Sequence, residues 1–295
     1  MPPMSHESRL AWQLKLLLLP SVLLLGAFVV YPALYSIYLS LTNEALVGPA
    51  ALHPRFVGTR NFERLFGDAK FWHSLLVTFG FVVGSAVIGQ FVLGLIAAVL
   101  LRRPLRLRAI LNAIILLPNA VPEVVAGFMW VSMLAGGEHA TVNRILGAFG
   151  IPPQELLQSF PLTMIVLVNT WRGIAFAMIL LTSGLSAISE EVYEAARVDG
   201  ASSRQIFWKI TLPLIMPTIF LYMLVSTVTT ISIFGLIYAL TRGGPGEATE
   251  IIGIYIYDQS FSAYQLGYGA AVAVVTLSIS LLIGVFYVRA LKVEV

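Results

Sequence analysis

Cysteine is absent from all 295 residues, which excludes disulfides, thiol chemistry and cysteine-based metal sites. The four histidines (His6, His53, His73 and His139) are scattered with no pair at helical ligand spacing, so no metal site is expected. Charge is scarce as well. Asp, Glu, Lys and Arg make up 11% of the chain, against roughly a quarter of a soluble domain. No phosphate-binding glycine loop ending in Lys-Ser or Lys-Thr is present, so nucleotide hydrolysis by that route has to lie in another chain. No basic-aromatic patch argues for nucleic acid, and no internal repeat or low-complexity tract divides the chain. A membrane-embedded enzyme would need His, Asp or Glu clustered at helical spacing, and the sequence lacks that pattern.

What fills the chain is hydrocarbon. Hydrophobic residues make up 58% and the mean hydropathy is +0.87, which places the chain in a bilayer. Four stretches lack any charged side chain, 16 to 43, 71 to 101, 210 to 241 and 259 to 288, each longer than the roughly 20 residues a spanning helix needs. Two more, about 109 to 135 and about 160 to 187, reach that length if one ionisable residue is admitted to each, Glu123 and Arg172. The reading is an all-α integral membrane protein with six spans, in one domain over 1 to 295. The first apolar stretch runs through Tyr31-Pro32 with no small-residue cleavage site after it, and reads as a retained helix in a chain that starts near Met1.

Eleven of the eighteen basic residues (Arg9, Lys15, Arg102, Arg103, Arg106, Arg108, Arg197, Arg204, Lys209, Arg289 and Lys292) fall on one side of these spans, with six acids. That side is expected to be cytoplasmic, with both termini on it. The opposite loop from 42 to 70 carries four basic residues. In it, Phe62, Leu65 and Phe66 share one helical face, as in a short amphipathic helix at the membrane interface. Gly80-x-x-x-Gly84, Gly89 and Gly94 in the second span are small residues that let another helix come close. Pro118-Asn-Ala-Val-Pro122 pairs two helix breakers beside Glu123, and a broken helix at membrane depth belongs inside the bundle or against a water-filled cavity.

One polar island interrupts this pattern. Ser189 followed by Glu190 and Glu191 reads as a capped helix start with acids over the positive end of the dipole, and Gly200 as its stop. Ser202 with Gln205 forms a capping box for a second helix running to Pro213. Two short helices at an angle then present a face with Ala195 and Ala196, rimmed by Glu190, Glu191, Glu194 and Asp199. The tight patterning favours a docking surface over an ordinary solvated loop.

Glu194-Ala-Ala, Gly200 after three residues and Ile210-x-Leu212-Pro213 after nine more match the EAA signature of permease subunits in binding-protein-dependent ABC importers. Phe56-Val-Gly-x-x-Asn-Phe, Asn169-x-Trp171, Asp199-Gly-Ala and Leu240-Thr-x-Gly-Gly-Pro245 resemble the carbohydrate-uptake branch, and within it the type of the larger maltose-permease subunit, in the six-span form also seen in glycerol-3-phosphate and trehalose systems. The resemblance implies a type I importer transmembrane domain working with a second permease, two copies of an ATPase and an extracytoplasmic solute-binding protein. It implies that the loop 189 to 213 inserts into a cleft on the ATPase, with Glu194 pairing there and Gly200 supplying the bend. ATP and Mg²⁺ would be used by that partner, with no cofactor in this chain and no catalysis of its own.

A solute site is sought on two stripes. Asn169, Gly173 and Phe176 share one helical face with Arg172 beside them, and Ser226, Thr230 and Ile233 repeat the spacing one span later. The stripes either line a polar cavity suited to hydroxyls or serve helix packing alone. The resemblance carries solute contact onto Asn169, Gly173 and Ser226. At Arg172, Phe176, Thr230 and Ile233 the side chains differ from the maltose relative. Glu123 and Arg172 each lie about 17 Å below the outer surface by helical rise, so they either form a structural bridge or leave Arg172 to face solute. The reading is a permease subunit of an ATP-driven sugar importer in the cell membrane. The alternatives are an ion-gradient-driven secondary transporter, and glycerol-3-phosphate or another polar small molecule as solute.

Overall fold

The computed structural model describes residues 17–102 and 106–293. Arg9, Lys15, Arg103 and the expected start near Met1 lie outside the described residues, as does the side chain of Lys292. The helices used below are α1 (Leu17–Ser40), α2 (Ala69–Leu101), α3 (Arg108–Ala120), α4 (Glu123–Leu134), α5 (Pro161–Ser186), α6 (Glu190–Val198), α7 (Ser203–Leu214), α8 (Met216–Ile231), α9 (Gly235–Leu240) and α10 (Leu266–Val293). Among the described residues four single helices, α1, α2, α5 and the Leu266–Ala290 part of α10, are long and apolar enough to cross a membrane. The pairs α3 with α4, bent by 105°, and α7 with α8, bent by 62°, raise the number to six if each counts as one span.

This pattern corrects two readings. The run 210 to 241 is not one helix: it bends at Ile215, where Pro217 removes a backbone donor, and ends at Ile231 before the separate α9. The run 259 to 288 becomes a span only from Leu266, because Tyr264 adopts a left-handed conformation (φ 60°) that no helix continues through. The run 160 to 187, admitted despite Arg172, is by contrast a single straight helix.

The described residues cluster into two compact units. One takes the chain up to residue 68 together with 256–276. In it Asn61 Nδ2 donates to the carbonyls of Ser40 and Thr42, both at 2.8 Å, so the chain leaving α1 is tied to the helix Arg60–Phe66. Leu65 of that helix is fully buried and Phe66 is half exposed, while Arg64 lies over the Tyr268 ring at 4.2 Å. The spacing Gly58-x-x-Asn61 thus serves the fold of this loop. Gly58 turns the chain at φ +61°, and Asn61 holds the two ends together.

The second unit, 69–255 with 277 onward, is built on α2 against α5. Its core joins Phe81, Val82 and Ala86 of α2 to Ile165 and Val168 of α5, with Ala126 of α4 and Leu236 and Ile237 of α9. The glycine row of α2 faces α5 throughout: Gly80 meets Leu162, Gly84 meets Val166, Gly89 meets Thr170 and Gly94 meets Ala177. The row keeps one face although its spacing grows from four residues to five. The turns over Val83–Gln90 are π-helical, with more residues per turn than an α-helix.

The broken span behaves unevenly. Val121 is extended (φ −78°, ψ 126°), as a residue before proline tends to be, and α4 restarts at Glu123. α4 packs one face into the unit: Ala126 and Gly127 are buried and a Cβ on Gly127 would come within 2.6 Å of Ala239 of α9, while Val124, Val125 and Phe128 are exposed. Of α3 only Pro118 is buried, so neither half of the pair is enclosed within this chain.

Candidate functional site

The polar island folds as two helices around a glycine. Gly200 sits at φ +78°, Ala201 N–H donates to Ala196 O and Gly200 N–H to Arg197 O, the bonding pattern that closes a helix C-terminus. Ser202 and Gln205 cap the next helix reciprocally: Gln205 N–H reaches Ser202 Oγ at 3.4 Å and Ser202 N–H reaches Gln205 Oε1 at 2.8 Å. Ser189 occupies the N-cap position with extended backbone, but its hydroxyl makes no capping hydrogen bond, contrary to the sequence reading.

The face expected of this knob is corrected at one residue. Ala196 is 7% exposed and packs inward beside Tyr193, because α6 is amphipathic and turns that stripe to the unit. Glu190 stays on the exposed rim, 58% exposed, while pairing with Arg102 just past the end of α2 (3.3 Å) and with Arg197 (2.9 Å). Arg102 also lies 4.4 Å from the Tyr193 ring centroid, and Thr211 Oγ1 of α7 donates to Tyr193 Oη at 3.4 Å. Glu191, Glu194, Ala195 and Asp199 stay exposed. With them stands Val198, 87% exposed, an apolar side chain that sequence reading passed over.

The second assembly is a cavity of about 230 Å³. α5 supplies Asn169, Arg172, Gly173 and Phe176; α8 supplies Ser226 and Thr230, with Ile233 just beyond its end. All seven residues singled out on the two stripes therefore meet around one space, and Glu123 joins them from the start of α4. Gln90 of α2, Asn119 at the helix break and Val225 and Thr229 of α8 complete the wall and were not foreseen. Gln90 carried a signal, being the lone amide in the uncharged run 71 to 101.

Gln90 is the node of the polar wall. Its Nε2 donates to Asn169 O (3.0 Å), its Oε1 accepts from Ser226 Oγ (3.0 Å), and Asn169 Nδ2 donates to Ser85 Oγ (2.9 Å). Tyr222 Oη donates to Ala86 O at 2.9 Å behind them. A Cβ at Gly173 would overlap the Gln90 amide, so a larger residue there has to displace that side chain and its hydrogen bonds. Replacing Gln90 by Leu removes the donor to Asn169 O and one of two partners of Ser226 Oγ, which keeps Tyr222 Oη at 3.3 Å; the expected cost is about 0.5–1.5 kcal/mol, read as a lower thermal midpoint of the purified protein.

Arg172 and Glu123 do meet. Arg172 Nη1 lies 3.5 Å from Glu123 Oε1, and Nη2 donates to Val121 O at 3.4 Å, a carbonyl freed by the helix break. The Arg172 side chain is 13% exposed and the Glu123 side chain 41%, so the pair has a buried cationic end and an open anionic end. Glu123 is further favoured in the first turn of α4, at the positive end of the helix dipole. The two side chains thus lie at ion-pair distance, and both line the cavity.

Among known proteins, the family described as binding-protein-dependent transport system inner membrane component matches residues 90–291. The trehalose/maltose transport system permease protein of Thermococcus litoralis is 32% identical over 287 residues, covering 96% of this chain and 94% of that protein. The sn-glycerol-3-phosphate transport system permease protein of Agrobacterium fabrum is 33% identical over 276 residues, covering 93% and 92%. In fold, the chain superposes with a TM-score of 0.81 on a chain of a bacterial ABC transporter involved in import of the acidic polysaccharide alginate, at 22% identity and 97% coverage of both.

Proposed function

The chain belongs to the family of binding-protein-dependent transport system inner membrane components, and from that membership we propose that it is the permease subunit of an ATP-driven sugar importer, forming half of the translocation pathway. The observation that supports this most is one of continuity. Gly200 turns α6 into α7, α7 runs into α8 across the bend at Ile215, and α8 carries Ser226 and Thr230 into the polar cavity. A push on the knob is thus delivered through helical segments to the cavity wall.

In this reading the partners are a second permease, two ATPase subunits that hold ATP and Mg²⁺, and an extracytoplasmic solute-binding protein. The knob and both termini face the cytoplasm. Glu194, Glu191, Ala195 and Asp199 meet the ATPase, Gly200 sets the angle, and Glu190 and Ala196 anchor the knob to its own chain. Closure of the ATPase pair on ATP pushes the knob and opens the spans outward, and hydrolysis resets them. The amide and hydroxyl wall with the Phe176 ring suits a polyhydroxylated solute. The relatives named above are assigned to uncharged disaccharides and to a phosphorylated polyol at nearly equal identity, so similarity does not choose between those classes.

The test is reconstitution. The ligand retained by the cognate binding protein is identified by mass spectrometry, and its uptake into proteoliposomes is expected to need ATP and every partner. Uptake by this chain alone, driven by an ion gradient, contradicts the reading.

A further inference from the structure

We propose that Glu123 makes the cavity selective for uncharged polyhydroxylated solutes, by cancelling the charge that Arg172 would otherwise present to an anionic sugar. The inference rests on the reading of this cavity as the solute path. Of the side chains that line it, only Arg172 and Glu123 are charged, and they lie 3.5 Å apart. The wall is therefore neutral in sum. A sugar phosphate or uronate entering it gives up hydration and finds no uncompensated cation, whereas a neutral sugar pays no ionic desolvation.

Neutrality does not empty the pair of hydrogen-bonding capacity. The Glu123 side chain is 41% exposed and lines the cavity, and a carboxylate accepts from hydroxyl donors. Asn119 on the same wall offers both a donor and an acceptor. Hydroxyl groups, which donate and accept at once, match such a surface. The arrangement is also held in place from outside the cavity: Val121 O fixes Nη2 of Arg172, and the start of α4 fixes Glu123. Substituting Glu123 by Gln leaves a cation on a partly enclosed wall, and the preference is expected to turn towards anions.

The absence of cysteine allows this to be read without knowing the solute. Thr229, exposed on the cavity wall, is changed to Cys in the full permease–ATPase assembly with cysteine-free partners. Its reaction rates with uncharged, anionic and cationic methanethiosulfonates are each referenced to a small free thiol. With the natural pair, the anionic and cationic rates are expected to agree within about threefold and to fall below the uncharged one. Glu123→Gln is expected to raise the anionic-to-cationic ratio about tenfold. The exchange Glu123→Arg with Arg172→Glu returns it to parity, and this variant decides the matter if Glu123→Gln does not assemble. The proposal is overturned by an anionic preference of about tenfold with the natural pair, by an unchanged ratio in an assembled Glu123→Gln complex, or by failure of the uncharged reagent to react. ATP-driven uptake is scored separately in the assembly that keeps Thr229. Uptake lost with the rate pattern intact tells against the importer reading alone, and uptake retained with the pattern absent tells against the charge reading alone.

Discussion

Glu194→Lys is expected to lower ATP-driven uptake by about tenfold or more while leaving the permease folded and in the membrane. Glu194 is exposed on α6, so reversing its charge removes no contact within the knob. What it changes is the surface offered to the ATPase. Gly200→Val is expected to have the same outcome for a different reason. No atom lies within 4 Å of the position its Cβ would take, so there is room for the side chain; the strain is in the backbone, held at φ +78°. A β-branched residue there costs about 1–2 kcal/mol or turns the knob away from its angle. Gly200→Asn separates the two effects, since asparagine accepts the left-handed region, and it is expected to keep most of the uptake. Uptake and ATP hydrolysis are measured together in proteoliposomes: uncoupling shows as hydrolysis that no longer tracks uptake, and unchanged uptake in both Glu194→Lys and Gly200→Val refutes the role given to the knob.

Gly94→Leu is expected to cost more than any surface change, by preventing α2 and α5 from packing. A Cβ at Gly94 would fall on the Ala177 side chain and within 3.1 Å of the Met178 backbone nitrogen, neither of which is the movable end of a side chain. The helices must separate, and overpacking of this kind costs typically about 1–3 kcal/mol, with more when backbone has to shift. Loss of the folded species on size-exclusion chromatography after mild heating reads the effect. Gly80→Ala is the matched control: its Cβ meets Leu162 at 3.7 Å, an ordinary contact, and the variant is expected to behave as the natural protein does.

Features fixed by neighbours along the chain were legible without coordinates. The stop at Gly200, the capping box of Ser202 with Gln205 and the break between Pro118 and Pro122 each depend on a few consecutive residues. Depth along a helix is equally local, so counting from the outer ends placed Glu123 and Arg172 within reach, and the observed 3.5 Å follows. Facing relations between helices were legible where residue size or a polar stripe announced them, as in the glycine row of α2 and the stripes of α5 and α8 that line one cavity.

What escaped depends on partners far apart in sequence. Gln90 is one amide in an apolar run until Asn169 and Ser226 come to either side of it. Ala196 looked like a surface residue because the sequence does not say that it packs inward beside Tyr193, on the side of α6 that Arg102 also meets. The unbroken apolar composition of 210 to 241 concealed the bend at Ile215, although Pro213 and Pro217 flank it.

The central claim, that the knob is where this permease meets its ATPase, is tested most directly by cross-linking. A single cysteine is placed at Ala195, exposed, or at Ala196, buried, in the otherwise cysteine-free chain, and joined to the ATPase through a short thiol-to-amine reagent. The predicted result is a permease–ATPase adduct from Ala195→Cys and little or none from Ala196→Cys. An assembly that still transports and yields no adduct from Ala195→Cys contradicts the account.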